Sequence, residues 1–109
     1  MEIEQACRVV AEEIMGSKTT NVHYDRSAYV WNGEFRMEKE ALDYLLTGNG
    51  ADELFQQLQK DGYQIIISTS EQGVAVRLQK GKEKAVSAMA TNWKEAINYA
   101  AAKLMENQT

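Results

Sequence analysis

The chain has 109 residues, of which 44% are hydrophobic, and its 16 acidic and 12 basic residues give a net charge of −4. This length fits one domain and leaves no room for two, so we expect a single α+β domain over residues 1–109. The acidic balance argues against direct binding of duplex DNA, because duplex-binding proteins usually present a basic surface.

Apolar residues recur at helical spacing near the start of the chain. They are Ile3, Cys7, Val10 and Ile14. The pattern predicts a helix from about Glu2 to Met15, and Gly16 is placed to end it as a left-handed residue. Cys7 lies on the apolar face of this helix, which favours a buried core thiol over a reactive one.

Residues 19 to 37 contain strand formers instead. These are Val22, Tyr24, Tyr29, Val30, Trp31 and Phe35. The pair Asn32–Gly33 between them is favoured in two-residue turns, so the segment predicts a β-hairpin. A short helical turn from Glu38 to Leu46 should follow.

A second main helix should begin after Asn49, whose side chain can cap its first turn. Apolar residues from Ala51 to Leu58 form one face of this helix, and Gly62 is placed to end it. Three strands follow, predicted at Tyr63–Thr69, Val74–Gln79 and Ala85–Ala90, and their short connections indicate an antiparallel meander.

One face of this meander is less apolar than the other. It comprises Gln64, Ile66, Ser68, Ala75, Arg77, Gln79, Ser87 and Met89. We expect the N-terminal elements to cover this face. If it were uncovered, Ile66 and Met89 among polar neighbours would indicate a contact with another subunit.

The last helix should start near Asn92, with Glu95 as its capping-box partner. Its apolar residues should pack on the apolar face of the meander, and the tail from about residue 106 should fray. The apolar set is Trp93, Ile97, Ala100 and Leu104.

Several phrases of the chain are similar to those of one protein family. They are Val10–Gly16, Ala51–Leu54, Leu58–Tyr63, Gly73–Leu78, Lys80–Gly81 and Ser87–Thr91, followed by the alanine-rich last helix. In these phrases the chain resembles the phage ABA-sandwich domain family, found in tailed phages and prophages. The resemblance implies a single αβα-type sandwich domain and a phage or prophage origin, where small accessory proteins are often aimed at host defences.

The residues that usually carry catalysis do not form a pattern here. His23 is the only histidine, and Cys7 lies on a different predicted element, so no metal site is expected. No Gly-x-Ser-x-Gly phrase or glycine-rich phosphate loop occurs. We therefore expect a protein that is not an enzyme and that has no catalytic residues, metal or cofactor.

The segment from His23 to Arg36 is the strongest candidate for binding. It holds four of the nine aromatic residues, the only histidine and two of the four arginines. Aromatic rings can stack on a base, and guanidinium groups can hold a phosphate or anchor a protein interface. The predicted ligand- or partner-binding residues are His23, Arg26, Tyr29, Trp31, Arg36 and Arg77.

The alternative is that the aromatic residues of this hairpin fill the core beside the first helix. Tyr24 and Trp31 would then be core members, whereas Tyr29 and Arg26 would be the exposed ones. The sequence leaves both interpretations open.

The leading functional hypothesis is a phage-type accessory protein that sequesters a small nucleotide-like signal of host antiviral defence. The alternatives are a protein-binding inhibitor of a host defence effector, and an accessory subunit of phage replication or assembly. A sequestering protein should have a pocket that joins an arginine to an aromatic ring, and the chain could form homo-oligomers around it. An inhibitor should instead have a flat exposed patch.

The expected location is the cytoplasm of the host cell. The single cysteine cannot form an internal disulfide, and the chain shows no signal peptide, which together favour a reducing compartment. Its apolar runs are only a few residues long, so no membrane contact is expected.

Overall fold

The computed structural model describes residues 1–19, 28–31 and 34–107 of the chain. Within these residues, four α-helices are combined with two three-stranded antiparallel sheets. The elements, in chain order, are α1 (Ile3–Val10), β1 (Gly16–Thr19), β2 (Ala28–Trp31), β3 (Glu34–Met37), α2 (Glu38–Leu46), α3 (Gly50–Lys60), β4 (Gln64–Ser70), β5 (Gly73–Gln79), β6 (Val86–Ala90) and α4 (Trp93–Asn107). The predicted α+β fold class is confirmed, with its helix-packed antiparallel meander and its N-terminal helix and hairpin.

The first helix ends differently from the prediction. Regular α-helix stops at Val10, and a π-helical turn, Ala11–Met15, continues it. The predicted left-handed conformation of Gly16 is wrong, because its φ of −162° is extended and the chain enters β1 directly. Glycine still has a role here, since a Cβ at this position would collide with the backbone oxygen of Val30.

The predicted hairpin is present as β2 and β3. Trp31 lies opposite Glu34 and Tyr29 lies opposite Arg36, so the strands are joined across residues 32–33. The predicted turn at Asn32–Gly33 lies outside the described residues, as does the predicted core residue Tyr24. β1 pairs with the other edge of β2 to complete the N-terminal sheet.

Helices α2 and α3 match their predicted positions, but the predicted cap is wrong. Asn49 makes no side-chain capping bond, and only its carbonyl accepts a hydrogen bond, from the Glu53 amide at 3.1 Å. Gly50 begins α3 because the chain passes close to the end of α2 there. A Cβ on Gly50 would lie 2.7 Å from the Tyr44 oxygen. Gly62, with φ of +95°, follows the end of α3 as predicted.

The three C-terminal strands form the predicted meander, in the order β4-β5-β6. Gln64 lies opposite Gln79, and Leu78 lies opposite Val86. Val76, Leu78 and Val86 turn to the inner face and are buried under the helices. Each buried aliphatic side chain of this kind contributes roughly 1.5–3 kcal/mol relative to an exposed one.

The outer face of this meander is exposed, so the prediction that the N-terminal elements cover it is wrong. Ile66 is 46% exposed and Met89 is 53% exposed. The N-terminal helix α1 packs against α4 instead. Small residues make this packing close, because Ala101 and Ala102 are fully buried together with Ala6 and Cys7 of α1.

Helix α4 therefore lies between the meander and α1, and it is buried on more than the one face predicted. The start of α4 follows the predicted capping box in part. The Glu95 amide donates to Asn92 Oδ1 at 3.0 Å, whereas the Glu95 carboxylate accepts from the Thr91 hydroxyl at 3.2 Å. None of the described helices has the length and apolar character that crossing a membrane requires.

Candidate functional site

The structure separates the six predicted binding residues. His23 and Arg26 lie outside the described residues. Tyr29 and Arg36 are opposite each other in the N-terminal sheet, and Trp31 shares their face because it is two residues from Tyr29 on β2. Arg77 is in β5, in the other sheet. One continuous site containing both Arg36 and Arg77 is therefore not present among the described residues.

Tyr29 and Trp31 are core residues, each only 1% exposed. The predicted burial of Trp31 is confirmed, and the predicted exposure of Tyr29 is wrong. Tyr29 is enclosed because its strand lies against the N-terminal helical segment. Burial raises the pKa of its hydroxyl, and the nearby Glu38 carboxylate raises this pKa further.

Arg36 contacts two aromatic rings of its own chain, of which Trp31 is buried and Tyr44 is half-buried. Its guanidinium carbon lies 4.0 Å from the centre of the Tyr44 ring and 5.9 Å from that of Trp31. The two rings meet edge to face, with 5.3 Å between their centres. Arg36 also donates to Glu34 at 2.7 Å. Tyr44 was not among the predicted site residues, because its position on α2 carries no signal of this contact.

Two donors of this aromatic cluster are buried without an acceptor. They are Trp31 Nε1 and Arg36 Nε, and neither has a hydrogen-bond partner. Buried donors are nearly always satisfied in folded proteins, because an unpaired one costs about 1–3 kcal/mol. An acceptor oxygen supplied from outside the described residues would therefore be stabilising at this position.

Arg77 lies at the centre of the exposed outer face of the meander, opposite Ile66 on β4 and Ser87 on β6. Its guanidinium donates to Gln79 at 3.4 Å and is otherwise directed to a surface of exposed side chains. We call this surface the outer face and define it by Gln64, Ile66, Ser68, Arg77, Ser87 and Met89. Apolar, hydroxyl and cationic groups are mixed on it, as in the patches that bind other proteins.

A groove of about 570 Å³ opens on the other side of the meander, between α3 and the start of α4. Phe55, Trp93, Ile67 and Val74 supply its apolar walls, and Asp52 is the one charged residue that lines it. Phe55 and Trp93 belong to the apolar faces predicted for these two helices. Ile67, the middle residue of β4, lines the groove and is 42% exposed.

Neither Arg36 nor Arg77 lines this groove. The predicted combination of an arginine with an aromatic pocket is thus not found there. Among the side chains that the structure describes, no three of the His, Cys, Asp and Glu type gather into a metal site.

Comparison with protein families, curated proteins and solved structures finds no match for this chain. The resemblance to the phage domain family accordingly stays a prediction from the sequence phrases.

Proposed function

We propose that the chain is a non-enzymatic phage-type accessory protein that binds a host defence effector protein through the outer face of the meander and inhibits it. One observation carries this proposal, which is that the outer face is exposed where the sequence predicts that other elements cover it. The link to host defence comes from the resemblance to phage accessory domains.

The chemistry of the outer face suits a protein partner. Met89 and Ile66 are large apolar side chains left about half exposed on β6 and β4. Arg77 lies between them on β5 and has a long side chain that can make two-point contacts with a carboxylate. Arginine and methionine are among the residue types enriched in protein interfaces.

Sequestration of a small nucleotide-like ligand is the second candidate, and the groove supports it. Its volume falls within the range of about 300–1,000 Å³ that is typical of small-molecule sites. Phe55 and Trp93 could stack on a base there. The groove lacks a cationic side chain, however, and Asp52 would repel a phosphate, so the outer face supports its candidate function better.

The test uses bacteria that carry a protein-effector defence system and measures phage plating in the presence of the chain. Arg77→Glu and Met89→Lys should abolish the rescue of plating and the co-elution of the chain with the purified effector. Lys82→Glu is the matched control, since it makes the same charge change in an exposed loop outside the outer face. It should behave as the unmodified chain.

Folding of each variant is checked by circular dichroism. Full rescue and co-elution with folded Arg77→Glu and Met89→Lys would exclude the outer face as the contact surface. A small-molecule mass retained by the chain in native mass spectrometry, and lost on Phe55→Ala, would instead favour sequestration in the groove.

A further inference from the structure

Strand β4 lies at an edge of the meander, and β5 is its only strand partner among the described residues. The backbone N–H and C=O groups on the free side of an edge strand are a ready template for another strand. All seven residues of β4 except Ile65 are exposed. The described part of the chain therefore leaves this edge uncovered.

The sequence of β4 lacks the features that normally protect an edge. Its residues, Gln-Ile-Ile-Ile-Ser-Thr-Ser, include no charged residue, proline or glycine. Three consecutive isoleucines and a threonine give it a high preference for extended structure. Natural edge strands usually carry a lysine, a proline or a bulge that prevents pairing with another chain.

The opposite edge of the same sheet is protected in this way. The ammonium group of Lys103 on α4 reaches β6 and donates to the Ser87 carbonyl at 2.8 Å. Among the side chains that the structure describes, no lysine or arginine makes an equivalent contact with β4. The two edges of this sheet thus differ. A lysine of α4 contacts the β6 edge, whereas none of the described lysines or arginines contacts the β4 edge in this way.

We propose that β4 pairs with β4 of a second copy of the chain, antiparallel about a two-fold axis at Ile67, to form a continuous six-stranded sheet. Ile67 is the midpoint of Gln64–Ser70, so this register pairs all seven residues. Ile67 then lies opposite its own copy, Ile66 lies opposite Ser68, and Ile65 lies opposite Thr69. Residues facing each other across an antiparallel pair share a face, which keeps the two outer faces on the same side.

Charge favours the β4 edge over the rest of the surface as the place where a second copy binds. Each chain carries a net charge of −4, so two copies repel each other at long range. The seven-residue edge of β4 is an uncharged stretch, and the proposed register places no like charges opposite each other within it. Isoleucine against isoleucine at the axis also buries side-chain area that is 42% exposed in the single chain.

The dimer is tested by sedimentation equilibrium of the purified full chain over a wide range of concentration. The unmodified chain should reach twice its mass of 12.3 kDa. Ile67→Lys should sediment as a single chain, because two ammonium groups would meet at the axis. Ser68→Lys should do the same and changes an exposed hydroxyl side chain, which guards against a failure of folding. Ile67→Val, which keeps a β-branched apolar side chain, should remain dimeric.

Hydrogen exchange identifies the surface that is used. Amides of β4 should exchange faster in Ile67→Lys than in the unmodified chain, whereas amides of the central strand β5 should be unchanged. A single-chain mass for the unmodified protein at the highest concentration would overturn the proposal. So would a dimer that survives both lysine variants.

The proposal does not depend on the function assigned to the outer face. Arg77→Glu should remain dimeric while losing its effector, and Ser68→Lys should be a single chain whether or not the effector binds.

Discussion

Cys7 is a residue whose chemistry is set entirely by its position. Its thiol is fully buried between α1 and α4, among small apolar side chains. The pKa of Cys7 is raised from 9.0 to about 12, mainly by burial and to a smaller extent by the Glu95 and Glu4 carboxylates. Because the thiolate is the reactive species, the folded chain should hold this thiol inert at neutral pH.

We therefore expect a thiol reagent at neutral pH to modify Cys7 slowly in the folded chain and rapidly in urea. The unfolded state loses the thiol proton near pH 9, whereas the folded state keeps it to about pH 12. The burial contribution to stability should thus be complete below pH 9 and should be lost as the pH rises from 9 to 12. Cys7→Ser controls for other groups that titrate there. Rapid modification of the folded chain would show that the thiol is accessible.

Arg36 is a residue whose contact with aromatic rings was predicted, whereas the partners in that contact were not. Arginine beside aromatic residues predicted a binding contact, and the contact exists, but its partners are Tyr44 and Trp31 of the same chain. The Tyr44 hydroxyl is itself held by Glu53, which raises its pKa. This internal use follows from α2 folding back onto the sheet of β2 and β3, which no local pattern in the sequence specifies.

At the scale of elements, the end of α2 and the start of α3 depend on a glycine. A Cβ on Gly50 would lie 2.7 Å from the Tyr44 oxygen and 2.9 Å from the Leu45 Cα. Both contacts are with backbone atoms, which cannot move without shifting α2. Alanine is the better helix former by roughly 1 kcal/mol in a helix interior, so propensity and packing oppose each other here.

We expect packing to dominate, so Gly50→Ala should lower the free energy of unfolding by about 1–3 kcal/mol. Urea denaturation measures the change. Gln59→Ala places the same residue on the exposed side of α3 and should be neutral or slightly stabilising. Equal stability of Gly50→Ala and the unmodified chain would mean that the two helices can separate there at little cost.

Elements with strong periodicity were predictable, and those defined by partners were not. The meander strands are displaced by only one residue from their predicted bounds, because alternating Val76 and Leu78 fix which side faces the core. β1 has the sequence Gly-Ser-Lys-Thr, which contains no apolar alternation, so only its pairing with β2 reveals it. The residue type of Asn49 suggested a side-chain cap for α3, but Asn49 makes no such hydrogen bond. The start of α3 is marked instead by the close approach of Gly50 to the backbone of α2.

The candidate surfaces were predictable only in part for a related reason. The eight residues of the less apolar sheet face were identified, and so was their potential as a contact if uncovered. Whether they are covered depends on where α1 packs, and the alanines of α4 offer α1 a close-fitting alternative to the sheet. The groove was not predictable because one of its lining residues, Ile67, is partly exposed. The alternation of apolar residues along β4 places Ile67 on the core side and does not indicate this exposure.

At the scale of the whole molecule, α4 connects the two halves of the chain through polar contacts that are buried or partly buried. Asn98 is fully buried, and its amide donates to the Lys94 carbonyl at 2.8 Å and to the Leu45 carbonyl, at the end of α2, at 3.4 Å. Lys94 also donates to the Gly48 carbonyl at 2.9 Å. The Asn98–Leu45 and Lys94–Gly48 contacts join α4, which packs on the meander, to the end of α2 and to the connection that follows it.

This arrangement should make unfolding cooperative across both sheets. Trp31 lies in the N-terminal sheet and Trp93 at the start of α4, so Trp31→Phe and Trp93→Phe each leave one fluorescent reporter. We expect the two variants to give single urea transitions, each with its fluorescence midpoint coincident with that of far-UV circular dichroism.

Asn98→Ala leaves the Leu45 carbonyl without its donor and should lower the free energy of unfolding by about 1–3 kcal/mol, as seen by both reporters. Asn107→Ala, at an exposed asparagine of the same helix, should change it little. Separate transitions for the two tryptophans, or an Asn98→Ala effect seen by only one, would mean that α4 does not couple the halves and that each sheet unfolds by itself.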